Sequence, residues 1–229
     1  MTNTASDLIR RWLNGWSVAR SLPEAEPVGS AGDGDGLRSE CGQRSREAEV
    51  FALRADEEPE SVSRLADVVA AAGQSTWLTV PTSHPDAVEA LVTAAGLVVL
   101  QRSEWLMTTD LTTHPQHAPT EPYEREIRTE GPVTVVTLRT PSGEPAANGT
   151  IAVVGADAIA DRIETYAAHQ RRGLGSAVMS ALAEAAVAQG ARTGLLIASE
   201  EGQRLYSSLG WRHEADVLIA RGPVAPADR

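Results

Sequence analysis

Gln170-Arg171-Arg172-Gly173-Leu174-Gly175 stands between a run that reads as a strand, residues 158–166, and a run that reads as a helix, residues 176–189. The helix reading rests on the spacing of Val178, Met179, Leu182, Ala186 and Val187, which puts an apolar face on one side. Glycines at such a junction have a physical use. Without a Cβ, Gly173 and Gly175 let backbone N–H groups come close to an anion, and the helix that starts there aims its positive dipole end at the same point. Arg171 and Arg172 add charge of the same sign, so the stretch suits a pyrophosphate. Two other nucleotide signatures fail on the letters. A dinucleotide fingerprint needs a third glycine where Val178 stands, and a P-loop needs a lysine, which this chain does not contain.

Outward from this stretch the pattern continues as a strand at 193–198, a helix at 200–209 and two short final strands. Upstream lie strands at 133–139 and 150–155, joined by a turn at Pro141-Ser142-Gly143. The first half shows a similar order: a strand at 48–54, a helix at 60–72, a strand at 76–80, a helix at 85–95, then short strands at 97–101 and 104–108. Strand, helix, strand, helix, strand, strand thus occurs twice, which reads as a degenerate tandem repeat. In place of the glycine stretch the first half has Ala55-Asp56-Glu57-Glu58-Pro59-Glu60, whose acids would repel a pyrophosphate. Ahead of the repeat, Leu8, Ile9, Trp12, Leu13 and Trp16 predict an amphipathic helix over 8–19. Residues 23–36, all turn formers and acids, read as a mobile loop. The expected organisation is a degenerate region over 1–111, a connector over 112–122, a second domain over 123–221 and a disordered tail over 222–229.

Residues 150–221 resemble the core of the GNAT superfamily of acyl-CoA N-acyltransferases. The signature Gln/Arg-x-x-Gly-x-Gly/Ala is met by Gln170, Gly173 and Gly175, and a Leu-Tyr-x-x-x-Gly-aromatic segment by Leu205, Tyr206, Gly210 and Trp211. The resemblance implies a mixed α/β, largely antiparallel sheet flanked by helices, as a tandem of a degenerate half and a cofactor-binding half. It implies acetyl-CoA as cosubstrate and direct transfer of the acetyl group to a primary amine, on a small molecule or a peptide. By the same resemblance the backbone of Ile163, Glu164 and Thr165 would hold the pantetheine arm, and Gln170, Arg171, Arg172, Gly173, Leu174, Gly175 and Ser176 the pyrophosphate. Tyr206 would donate a proton to the departing thiolate. Ser199 stands where many relatives carry a cofactor-contacting Asn. Glu164 is the favoured base for the amine, with Asp161, His169 and water as alternatives; strict alternation along the strand puts Asp161 and Glu164 on opposite faces. The second half also lacks room for the two helices that relatives place between their first two strands. The rival reading is a non-catalytic acyl-CoA-binding or regulatory module, and a third is a structural interaction protein that binds no CoA.

Composition bounds these readings. The chain has 229 residues, 42% hydrophobic, with 20 Lys plus Arg against 31 Asp plus Glu and a formal net charge of −11. Such a surface repels a nucleic-acid backbone, so no nucleic-acid partner is expected. One cysteine, Cys41, admits no intrachain disulfide or thiolate cluster. No apolar run reaches the ~20 residues of a membrane span, and the first residues carry no leader pattern, so a cytoplasmic protein is expected. His84, His114 and His117 read as solvated loop residues and not as metal ligands. Trp77 and Trp105 are expected in the core. An exposed Trp12 and Trp16 pair would point to a homodimer contact.

Overall fold

A computed structural model describes residues 4–29 and 34–224. The described residues form five α-helices and eleven strands, in two compact units: one of Met1–Leu13, Leu22–Leu106 and His213–Arg229, the other of Asn14–Ser21 and Met107–Arg212. The architecture is a mixed α/β one with largely antiparallel strands.

In the first unit the strands are β1 (Glu26–Val28), β2 (Gly36–Gln43), β3 (Arg46–Ala52), β4 (Thr76–Thr82), β5 (Val98–Asp110) and β11 (Arg212–Arg221), in the order β1-β2-β3-β4-β11-β5. β3 and β4 run parallel through the crossover helix α2 (Pro59–Ala72); β4 and β11 are antiparallel over six residue pairs. Alternate residues of β3, β4 and β11 (Val50 and Ala52, Leu78 and Val80, Leu218 and Ala220) meet Val62, Leu65 and Val69 of α2 and Val88 and Val92 of α3 (Pro85–Ala94) in one buried cluster. Pro59 and Pro85 each stand in the first turn of their helix, where a missing N–H costs nothing.

In the second unit the order is β5-β10-β9-β8-β7-β6, with β6 (Glu124–Glu130), β7 (Val133–Arg139), β8 (Pro145–Val154), β9 (Asp157–Thr165) and β10 (Thr193–Ala198). Helix α4 (Leu174–Ala188) crosses from β9 to the parallel β10, and α5 (Glu200–Ser208) follows. α4 is buried on more than one side: Ala177, Val178, Ala181 and Leu182 lie in the core while Val187 is half-exposed. Gly149 of β8 makes this fit, since a Cβ there would lie 2.6 Å from Ile163 and 2.8 Å from Val178.

Helix α1 (Ala5–Arg20) extends the expected 8–19 by a few residues. Trp12 and Trp16 are buried, Trp12 against Phe51 with ring centroids 5.8 Å apart, and form no exposed pair. The loop expected over 23–36 instead contains β1 and the start of β2, paired through Glu26 to Arg38 and Val28 to Gly36. Asp35 there is sealed and holds Arg64 through two 2.7 Å bonds, which offset its acidic, turn-forming composition. Part of that loop, and the tail from 225 onward, lie outside the described residues. The short strands expected at 97–101 and 104–108 are one strand, β5, and the last two are one strand, β11. Trp77 and Trp105 are only partly buried; the Arg46 guanidinium stacks over Trp77 at 5.0 Å. β6 is an edge strand that the polar run Glu-Arg-Glu-Ile-Arg-Thr-Glu conceals. It joins β7 through Gly131-Pro132 alone, so no helix lies between them.

Candidate active site

The site is built where β9 parts from β10 while staying paired with β8. Strand β9 pairs with β10 only from Asp157 to Ile159, opposite Thr193 to Leu195, although both strands continue beyond. On its other side β9 carries a bulge: Thr150 of β8 opposes Asp161, but Asn148, two residues along β8, opposes Glu164, three along β9. Arg162 absorbs the extra residue with φ of 53°. The bulge changes the alternation. Because Thr150 and Asn148 share a face, Asp161 and Glu164 share it too, which corrects the expectation of opposite faces. Ile163 turns the other way, toward Gly149 and α4.

The glycine stretch follows a short 3-10 turn, Ala167–His169. Gly173 adopts the left-handed region, with φ of 74°, and starts α4 without a side-chain cap. The first helical bond runs from Ala177 N–H to the Gly173 carbonyl, so the N–H groups ahead of it in the first turn lie outside the helical ladder. Gly175 is needed for another reason, since a Cβ there would come within 2.9 Å of Leu205 on α5. Gln170 Nε2 donates to the Thr165 carbonyl at 3.4 Å, tying the loop to the end of β9. Arg171 is exposed, with φ of 58°. Arg172 donates from Nη1 to the Tyr123 hydroxyl at 2.9 Å, and that hydroxyl lies 2.9 Å from His169 Nδ1. The arrangement that satisfies all three groups has Tyr123 donating to His169, which occupies that ring nitrogen.

Tyr206, on α5, is 7% exposed. Its hydroxyl has no hydrogen-bond partner among the described residues and is not sealed, so it faces accessible space. Burial, with a smaller push from the Asp161 carboxylate, raises its pKa to about 12. Asp161 is itself paired with Arg20 at the end of α1 by two bonds of 2.8 and 2.9 Å. α1 is seated there by Gly15, where a Cβ would collide with Ile159, and by Trp16, over whose ring the Arg20 guanidinium lies at 4.7 Å. Glu164 is exposed, and its carboxylate makes no hydrogen bond or ion pair among the described residues. Ser199 caps α5, accepting from the Gly202 N–H at 3.3 Å.

Behind Tyr206 lies Trp211, centroids 6.0 Å apart, whose indole N–H donates to His114 Nε2 at 3.4 Å. His114 Nδ1 in turn lies 3.0 Å from the Pro115 carbonyl. His114 is therefore a buried, neutral support and not the solvated loop residue expected; burial holds its pKa below the usual range. Among the described residues no group of three or more His, Cys, Asp or Glu could hold a metal ion, and no helix is long and apolar enough to cross a membrane.

Superposition on solved structures identifies the architecture that carries this split strand pair, bulge and glycine-started helix. The fold is that of the GNAT superfamily. Residues 157–218 match the FR47-like protein family. A GCN5-related N-acetyltransferase from Kribbella flavida superposes with a TM-score of 0.68 at 16% identity, covering 97% of both chains. A tandem GNAT protein from the clavulanic acid biosynthesis pathway covers 100% of this chain and 98% of its own, with a TM-score of 0.59 at 13% identity. A GCN5-related N-acetyltransferase from Sphaerobacter thermophilus gives a TM-score of 0.59 at 14% identity over 88% of this chain and 80% of its own. At such identities the likeness is one of fold. No curated protein matches the chain in sequence.

Proposed function

We propose that the chain is an acetyl-CoA-dependent N-acyltransferase that moves an acetyl group directly to a primary amine. The observation that carries this reading is the divergence of β9 from β10 after Ile159, flanked by the start of α4 and by the Tyr206 hydroxyl. Between Glu164 and Glu184 the chain has no acidic residue but carries Arg171 and Arg172, so this region favours an anion in an otherwise acidic protein. The residues fit acetyl-CoA. The first-turn N–H groups of α4 and Ser176 would take the pyrophosphate, and the unpaired edge of Ile163, Glu164 and Thr165 would take the amide groups of the pantetheine arm. When bound, acetyl-CoA supplies a thioester whose acyl carbon accepts the amine and whose sulfur leaves.

The chain's own groups then have distinct tasks. Tyr206, protonated up to about pH 12, donates its proton to the leaving sulfur. Glu164 takes a proton from the ammonium form of the acceptor, directly or through water, because Asp161 is engaged by Arg20 and His169 Nδ1 by Tyr123. Ser199 acts as a helix cap and leaves the cofactor to backbone groups.

Gly173→Asp tests the site. The residue must adopt a φ of 74°, which costs about 1–2 kcal/mol for a side chain, and the carboxylate would stand where the phosphates are held. Saturating acetyl-CoA, at ~100 times its dissociation constant, should stabilise the wild type by about 2.7 kcal/mol. The variant should lose that thermal shift. An equal shift in both removes the loop's role. The cap role of Ser199 favours a second reading, a non-catalytic acyl-CoA-binding module, which would show the shift but release no thiol with any amine.

A further inference from the structure

The bulge at Arg162 has an effect beyond the cofactor cleft. Since paired residues on adjacent strands point to the same side, the register defines two rows across the second unit. One row runs Asp161, Thr150, Val135, Arg128; the other runs Glu164, Asn148, Thr137, Glu126. Both lie on the face away from α4, whose own side of these strands is filled by Val136, Leu138 and Ile151. On this open face a groove of about 440 Å³ lies over β6 and β7, bounded by Ala19 and Ser21 at the end of α1. The favoured base and the groove therefore belong to one surface.

The groove's chemistry selects its occupant. Val133, Val135 and Thr137 form a floor of short branched side chains, with Val135 39% exposed. Its charges cancel: Glu126 is bound by Arg139 at 2.7 Å and by Arg128 at 2.8 Å, and hydrogen bonds from these two arginines hold its carboxyl below the usual range, leaving Glu130 to balance the second arginine. A polyamine or a polyanion gains no net attraction there. A chain with alternating N–H and C=O groups and apolar side chains finds donors, acceptors and a floor. The distance from β9 to β6 is three strand spacings, ~14 Å at ~4.8 Å each, which is about four residues of extended peptide.

We infer that this open face is the acceptor site and that the acceptor is a peptide, presenting its amine beside Glu164 and laying its following residues across β8 and β7 toward β6. The inference rests on the acyl-transfer reading above and names its substrate class. The test is a series of amides sharing one N-terminal residue and lengthening from one residue to six, assayed by thiol release. In parallel, calorimetry measures their binding to protein saturated with CoA. The expected result is a rise in kcat/KM of at least tenfold up to about four residues, then a plateau. Val135→Trp should reduce that gain to within about threefold of the one-residue amide, while the stabilisation by acetyl-CoA stays unchanged; Val135→Ala should preserve the gain. A flat dependence on length, or a gain that survives Val135→Trp, overturns the inference even if acetyl transfer is confirmed. If no amine releases thiol but binding shows the same length dependence and the same loss, the groove stands and the transfer reading falls. If neither turnover nor binding depends on length, the inference falls.

Discussion

Tyr206 is placed so that one side chain can serve packing and, in the proposed transfer, chemistry at once. Its ring is buried against Trp211, yet its hydroxyl has no partner to lose among the described residues. Tyr206→Phe should therefore fold normally and lower kcat by about two orders of magnitude, the usual worth of a positioned proton donor. A wild-type-like kcat in a folded variant would remove the assignment. Because its pKa is pushed up to about 12, the wild-type rate should show no decline near pH 10 from this group. Glu104 is a second residue with an altered proton. Burial first, then the neighbouring Glu49 carboxylate, raises it from 4.5 to about 7, with Arg46 opposing. The folded protein thus holds a proton between these pH values that the unfolded chain releases, so stability falls as pH rises through that window, by on the order of 3 kcal/mol. Glu104→Gln should flatten the decline in melting temperature between pH 5 and pH 8. An equal decline in the variant would assign it to other groups.

At the scale of elements, the strands and helices with apolar periodicity were legible from the sequence. β7 and β10 fall on residues 133–139 and 193–198 as read, and the five helices lie within a few residues of their expected bounds. What escaped was polar or long-range. β2 and β6 bury too few residues to show alternation, and β1 is three residues long. The bulge cannot be seen in letters, because Arg162 is an ordinary residue in a left-handed conformation that only the register with β8 reveals. The place of the glycine stretch at a strand-to-helix junction, and of Tyr206 on α5, was legible because short-range motifs carry both. The Arg20 and Asp161 pair joins positions 141 apart and has no local signal. That pair fastens α1 to β9, with side-chain exposures of 17% and 12%. Arg20→Met should destabilise by about 3 kcal/mol, since it leaves a mostly buried carboxylate without its guanidinium. Arg20→Met combined with Asp161→Asn should recover more than half of that loss in denaturant midpoint. If the double variant is as unstable as the single one, α1 is held by Gly15 and Trp16 packing and the ion pair contributes little.

For the whole molecule, the two units are each assembled from separated pieces of the chain. Residues 14–21 of α1 and the end of β5 belong with the second unit, while β11, the last strand, belongs with the first and pairs with β4 from Asp216 to Arg221. A cut between the two repeats therefore cannot release two intact parts. The first unit also differs in its chemistry at the place where the second starts α4. Burial raises the Asp56 carboxyl, but hydrogen bonds from Thr82, from the Ser83 hydroxyl and from the Ser83 N–H more than offset this and leave it below its usual range. A carboxylate held there disfavours an anionic cofactor, so acetyl-CoA should bind once per chain. The decisive measurement is expression of residues 112–229, which contain the whole glycine stretch and Tyr206 but lack α1 and β5. That fragment should lose Arg20 from Asp161 and the strand beside β10, leave β11 without β4, and show neither a cooperative unfolding transition nor a thermal shift with acetyl-CoA. Co-expression with residues 1–111 should restore both, because the contacts are noncovalent. A fragment that unfolds cooperatively and binds acetyl-CoA alone would show that the second repeat carries its own fold, and that the exchanged pieces serve the acceptor face and not the cofactor site.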